Sequence, residues 1–171
     1  AALAFRAAMT ALARPGRIAR VAGVQPPAPL SVAAGVLLLT LVDADTPLHL
    51  AGAADCTQVR DWLAFHAPAP RVGPDEAAFA LGRWAALPPL GRFPQGRPDY
   101  PDRAATLIVE LDRLAAEGAA LEGPGIAGRA ALSLPDPDAF RANHARFPLG
   151  LDVFFTCGDR LAALPRSTRV L

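Results

Sequence analysis

The residues of this chain best equipped for chemistry are Arg166, Ser167 and Thr168, which follow Pro165 near its end. A guanidinium fork beside two hydroxyls can share the oxygens of a phosphate, because its planar N–H donors match that geometry. A second candidate is Gly123-Pro124-Gly125-Ile126, where two glycines let backbone N–H groups approach an anion closely. Gly123, Gly125, Arg166, Ser167 and Thr168 are therefore the candidate phosphate-binding residues. Each set also has a plain reading: Gly-Pro-Gly is a tight turn, and an arginine after a strand is a surface charge. A third pattern, Asp43-Ala44-Asp45, offers two carboxylates to a metal. No acidic residue follows closely, and Thr46-Pro47 makes the segment a turn.

The rest of the inventory excludes more than it offers. All 17 basic residues are arginines. With no lysine there is no Schiff base for pyridoxal phosphate, no phosphate-loop lysine and no lysine general base. HExxH, GxSxG, a GxGxxG after a strand and CxxxCxxC are all missing, and the three histidines lie too far from the serines Ser31, Ser133 and Ser167 to nominate a triad. The expectation is a chain with no catalytic residue, metal or cofactor of its own. Cys56 and Cys157 form no CxxC and read as reduced thiols of a cytoplasmic protein, Cys157 lying in the core. A net charge of +1 gives no bias toward nucleic acid. The longest apolar run, Leu30 to Val42, is interrupted by Ser31, Gly35 and Thr40 and is shorter than the ~20 residues that span a bilayer. No membrane partner is expected. The chain opens on Ala1, which leaves room for residues before it.

These residues need elements to position them. A length of 171 residues, 52% of them hydrophobic, is enough for one domain with a real core, spanning residues 1–171. The 18 prolines and 14 glycines predict short elements with punctuated loops. The clearest element is a hairpin. Leu151, Val153, Phe155 and Cys157 alternate with Asp152, Phe154 and Thr156, Gly158-Asp159 forms a primed two-residue turn, and Leu161 to Leu164 return before Pro165 ends the ladder. The period of two predicts a strand with unlike faces.

Upstream, Leu3 to Ala13 reads as an amphipathic helix with Phe5, Met9 and Leu12 on its apolar side and Arg6 opposite. Arg17 to Val21 reads as a short strand. Ser31 is an N-cap for a buried helix to Val42, with a strand over Val36 to Val42 as the competing reading. Leu48-His49-Leu50 reads as a buried strand. Asp55 with Gln58 is a capping box for the helix Cys56 to His66, whose stripe of Val59, Trp62, Leu63 and His66 faces inward. Strands are predicted at Ala77 to Leu81, Thr106 to Leu111 and Ala130 to Leu134, and Leu87 to Pro101 reads as loop. Asp136 with Pro137 starts a helix through His144.

Taken together, FRAAMTALARPGRI, LLLTLVDADTPLHL, DWLAFHAPAP, YPDRAATLIVEL, LEGPGI and FPLGLDVFFTCGDRLAALPRSTRV, in this order from Phe5 to Val170, resemble the PhnH family of the bacterial carbon–phosphorus lyase system. The resemblance implies an α/β fold: a single mixed-sheet domain resembling the large domain of PLP-dependent transferases, without PLP. It implies a homodimer that joins the G, I and J subunits of the phosphonate-degrading complex. That complex displaces adenine from ATP with an alkylphosphonate, giving ribose 1-alkylphosphonate 5-triphosphate. The family motif assigns no catalytic residue to this subunit, and a phosphonate or nucleotide ligand is the expected small-molecule partner. The alternative is a scaffold protein with no ligand site.

Overall fold

The hairpin sits at the middle of the fold in the computed structural model, which describes all residues from Ala1 to Leu171. Strand β7 (Asp152–Cys157) and strand β8 (Arg160–Leu164) pair antiparallel with Phe154 opposite Ala163, and Gly158 takes the positive φ of 59° that the turn demands. On its other side β7 lies parallel to β4 (Thr106–Glu110), which lies parallel to β3 (Phe79–Arg83) and then β2 (Leu48–Leu50). A two-residue strand, β1 (Ala19–Arg20), closes the far edge against β8, giving the order β1-β8-β7-β4-β3-β2.

A mixed sheet of this kind is covered on both faces, and that corrects the expectation of unlike faces for β7. Phe154 and Phe155 point to opposite sides and both are buried, as are Ile108 and Val109 on β4. A central strand between two layers needs no polar face. One face packs against helices α1 (Ala2–Ala13), α2 (Val32–Leu41) and α3 (Thr57–His66), through residues such as Ala8, Leu37 and Leu63. The other packs against α4 (Pro137–His144) and a second, antiparallel sheet of β5 (Ala119–Glu122), β6 (Ala130–Leu132) and β9 (Arg169–Val170). Phe140 of α4 meets Phe155 edge-on, with centroids 5.4 Å apart.

Helix α1 forms where the sequence predicts it but turns a different side inward. Its buried residues are Ala8 and Ala11, whereas Phe5 is 52% and Met9 37% exposed. Alanines let the helix backbone come close to β8 and α2, and bulkier side chains at those positions would hold it away. Leu12 alone of the expected apolar stripe packs on the core. Helix α2 starts as expected, with Ser31 Oγ accepting from Ala34 N at 3.1 Å, and so the strand alternative over Val36 to Val42 falls. Asp136 likewise caps α4, accepting from Ala139 N at 3.3 Å.

Asp55 makes no cap for α3; Cys56 occupies that position without a side-chain bond, and the Asp55 carboxylate instead takes the Arg60 guanidinium at 2.9 Å. His66 is exposed and rests against Phe65 and Trp62 rather than in the core, because it lies on the last turn where α3 clears the sheet. Cys157, expected in the core, is half-buried at the rim of the hairpin. The Pro/Gly-rich stretch after β3 carries short 3-10 turns and still buries Leu87 and Phe93 under the sheet. No helix is long and apolar enough to cross a membrane.

Candidate functional site

The two candidate anion-binding segments meet in space. β5 ends at Glu122 and pairs with β9, whose Arg169 lies opposite Glu122, so Gly123 sits directly against the backbone of Ser167 and Thr168. Gly125 is held more tightly still: with φ at 82°, a Cβ placed there would fall 1.9 Å from the Ala13 carbonyl oxygen. Only glycine fits, so one role of the Gly-Pro-Gly turn is to seat the β5–β6 connection on the end of α1. The loop also leaves backbone donors free. Ile126 N donates to Gly123 O at 3.1 Å, while the N–H groups of Gly125, Ala127, Gly128 and Arg129 have no acceptor within the chain.

Arg166 does not present a free fork. Its backbone N (2.9 Å) and Nε (3.2 Å) donate to Asp152 Oδ1, its Nη2 donates to Oδ2 at 2.9 Å, and its Nη1 donates to the Pro101 carbonyl. The guanidinium is thus engaged on both sides, joining the start of β7, the exit of β8 and the loop before β4. Thr168 is buried with its Oγ1 unpartnered, and its N donates to Pro165 O at 3.0 Å, turning the chain into β9. His144 Nδ1 lies 2.9 Å from the Arg166 carbonyl and donates to it as the Nδ1–H tautomer. Next to it, Asn143 bonds Leu151 reciprocally, Nδ2 to Leu151 O and Leu151 N to Oδ1, both at 2.8 Å. The residues around Phe147-Pro148-Leu149-Gly150-Leu151-Asp152 and Leu164-Pro165-Arg166-Ser167-Thr168 therefore fasten α4, β7 and β8 to one another.

A second polar cluster lies at the carboxyl ends of the parallel strands, where open α/β sheets generally place ligands. Glu110 ends β4 opposite Thr156 of β7, and both side chains face the start of α2. The Glu110 carboxylate accepts from Ser31 N at 2.7 Å, from Ser31 Oγ and from Thr156 Oγ1. A carboxylate at a helix N-terminus is stabilised by the unpaired N–H groups and the dipole there. A cavity of about 40 Å³ beside it, bounded by Leu30, Gly82 and Arg83, has room for little more than a water. Arg83 turns outward to Asp112 at 2.8 Å, and that carboxylate, with a smaller contribution from Glu110, pushes the guanidinium pKa up.

Sequence reasoning did not single out Glu110, Asp152 or Asn143. The available signal was an acid at the end of an otherwise apolar strand, which requires buried donors.

The Asp43-Ala44-Asp45 pattern is a turn, as its plain reading has it. Thr46 Oγ1 and Asp45 N both donate to Asp43 Oδ1, at 2.8 and 2.9 Å, and hold its carboxyl below the usual carboxylate range. No group of three or more His, Cys, Asp or Glu side chains is arranged to hold a metal ion.

Fold and polar network define a mixed-sheet α/β protein with a small antiparallel sheet on one face, whose most distinctive residues tie its segments together. The chain belongs to the bacterial phosphonate metabolism protein (PhnH) family, whose model matches residues 1–171. It is 39% identical over 175 residues to the alpha-D-ribose 1-methylphosphonate 5-triphosphate synthase subunit PhnH of Rhizobium meliloti (strain 1021), covering 97% of this chain and 88% of that protein. It is 32% identical over 180 residues to the putative C-P lyase subunit protein HtxG of Stutzerimonas stutzeri, covering 98% of this chain and 84% of the relative.

Proposed function

We propose that the chain is a non-iron-sulfur accessory subunit of the carbon–phosphorus lyase core complex. In this reading it supports formation of alpha-D-ribose 1-methylphosphonate 5-triphosphate from ATP and an alkylphosphonate. It works as a cytoplasmic homodimer in contact with the G, I and J subunits of that transferase. The observation that carries the reading is the likeness to a synthase subunit along nearly the whole chain, at 39% identity. The geometry supports an accessory role, since the Arg166 fork and the Glu110 carboxylate are both engaged by partners inside the chain. The unpaired Cys56 and Cys157 suit a reducing compartment. The parallel core of β2, β3, β4 and β7 is the feature that supports kinship with the large domain of PLP-dependent transferases.

Of the five candidate residues, Gly123 and Gly125 belong to the loop with free amides and are proposed to face an anion. Ser167 and Thr168 lie against Gly123, and Arg166 ties the same run to Asp152. The second reading, a dimerising scaffold with no ligand site, draws on the Arg166–Asp152 pairing, which takes away the most obvious phosphate fork.

Co-purification with the partner subunits followed by mass measurement tests the proposal. The expected result is a stable assembly containing two copies of this chain. A monomer that no partner subunit retains would overturn it.

A further inference from the structure

Of the 17 arginine side chains, 14 hold an ion pair, a hydrogen bond or an aromatic ring within the chain; those of Arg6, Arg14 and Arg17 hold none. Two of these three, Arg14 and Arg17, border one groove of about 400 Å³ between the turn after α1 and the loop joining β5 to β6. Arg129 borders it from the other side, and no acidic residue lines it. Glu122 holds Arg129 by its Nε alone, at 2.9 Å, leaving both terminal nitrogens of that guanidinium without a partner in the chain. The same groove takes in Gly125 and Ala127, whose N–H groups have no internal acceptor. Three guanidiniums and the free amides of Gly125 and Ala127 around one concavity suit an anion with several adjacent charged oxygens, since each fork can grip two of them.

We propose that this groove binds a linear triphosphate, and that Arg14, Arg17 and Arg129 are its ligands. A single phosphate has few oxygens to share, whereas a linear triphosphate offers adjacent charged oxygens to more than one guanidinium fork. Uncompensated charge of one sign beside low-dielectric walls also concentrates such anions before they bind. The identity of the ligand as a triphosphate rests on the accessory-subunit reading above, whereas its polyanionic character rests on the groove alone.

Calorimetric titration of the purified chain with inorganic tripolyphosphate tests the proposal, with orthophosphate as the comparison. Saturable binding at one site per chain is expected, at least tenfold tighter than for orthophosphate. Arg14→Ala and Arg17→Ala should each weaken it about tenfold or more, the usual loss for a charge-assisted contact. Arg6→Ala, outside the groove, should change it less than twofold. Arg14 and Arg17 are both exposed, so these variants should melt like the unmodified chain.

Equal losses in Arg6→Ala and Arg17→Ala would mean diffuse attraction and would overturn the site. So would displacement of tripolyphosphate by a glutamate-rich peptide at matched charge, which would mark the face as a dock for an acidic protein segment. If the unmodified chain ignores tripolyphosphate yet still joins its partner subunits, the groove proposal fails and the accessory reading stands.

Discussion

Arg166 and Asp152 meet through three hydrogen bonds and are both largely screened from water, which makes the pair a joint in the fold. Removing one partner of such a pair strands the other in a poorly hydrated site. Arg166→Ala should therefore lower stability by about 3 kcal/mol, read as a drop in thermal midpoint. Arg166→Lys should recover little of it, because a lysine cannot fork onto both carboxylate oxygens. An unchanged midpoint in the alanine variant would show the pair to be idle.

Glu110 makes a parallel case: Glu110→Ala takes the acceptor from Ser31 N and Oγ and leaves Thr156 Oγ1 only the longer bond to Val109 O, and it should cost about 2 kcal/mol, measured by urea unfolding. Gly125→Ala should be worse tolerated than Gly128→Ala, as only the first meets the Ala13 carbonyl. At this scale the sequence drew attention to the Arg166-Ser167-Thr168 run and the Gly-Pro-Gly turn, but not to what they touch, and it passed over Glu110 and Asp152. The Asp152 partner lies 14 residues before Arg166, and Glu110 is 79 residues from Ser31, distances that no local pattern encodes.

The elements themselves were legible wherever a local rule is strong. The β7–β8 hairpin, the Ser31 and Asp136 caps and the 106–110 strand follow directly from turn glycine, capping hydroxyl or carboxylate, and period-two alternation. Orientation was less legible. In α1 the large apolar residues suggested one buried face, yet the alanine face packs, because close approach of helix to sheet is decided by the partner surface. Phe5→Ser with Met9→Ser should then change the stability of the isolated chain by less than about 0.5 kcal/mol. Ala8→Leu should destabilise it by about 1–3 kcal/mol through overpacking. Urea midpoints for the two variants separate these outcomes, and the reverse ranking would mean that α1 packs the other way round.

At the level of the whole molecule, alternation could not reveal that four strands run parallel or that two layers cover the sheet. Parallel order depends on crossovers of many residues, and the two covered faces erase the polar side that marks a strand's orientation. The second sheet escaped notice for a related reason: β9 is two residues long and reaches β5 only after the turn closed by Thr168 N on Pro165 O. What results is a body braced internally at Arg166 and Glu110, with uncompensated cations gathered on one face. That division suits a subunit whose contribution is made within an assembly.

The most direct test of the account is omission and add-back in the assembled synthase, with ATP and methylphosphonate as substrates and formation of the ribose 1-methylphosphonate 5-triphosphate product as the readout. The expected result is that partner subunits lacking this chain lose most of their turnover, that adding the chain restores it, and that the chain alone makes no product. Unchanged turnover without the chain, or product from the chain by itself, would contradict the account.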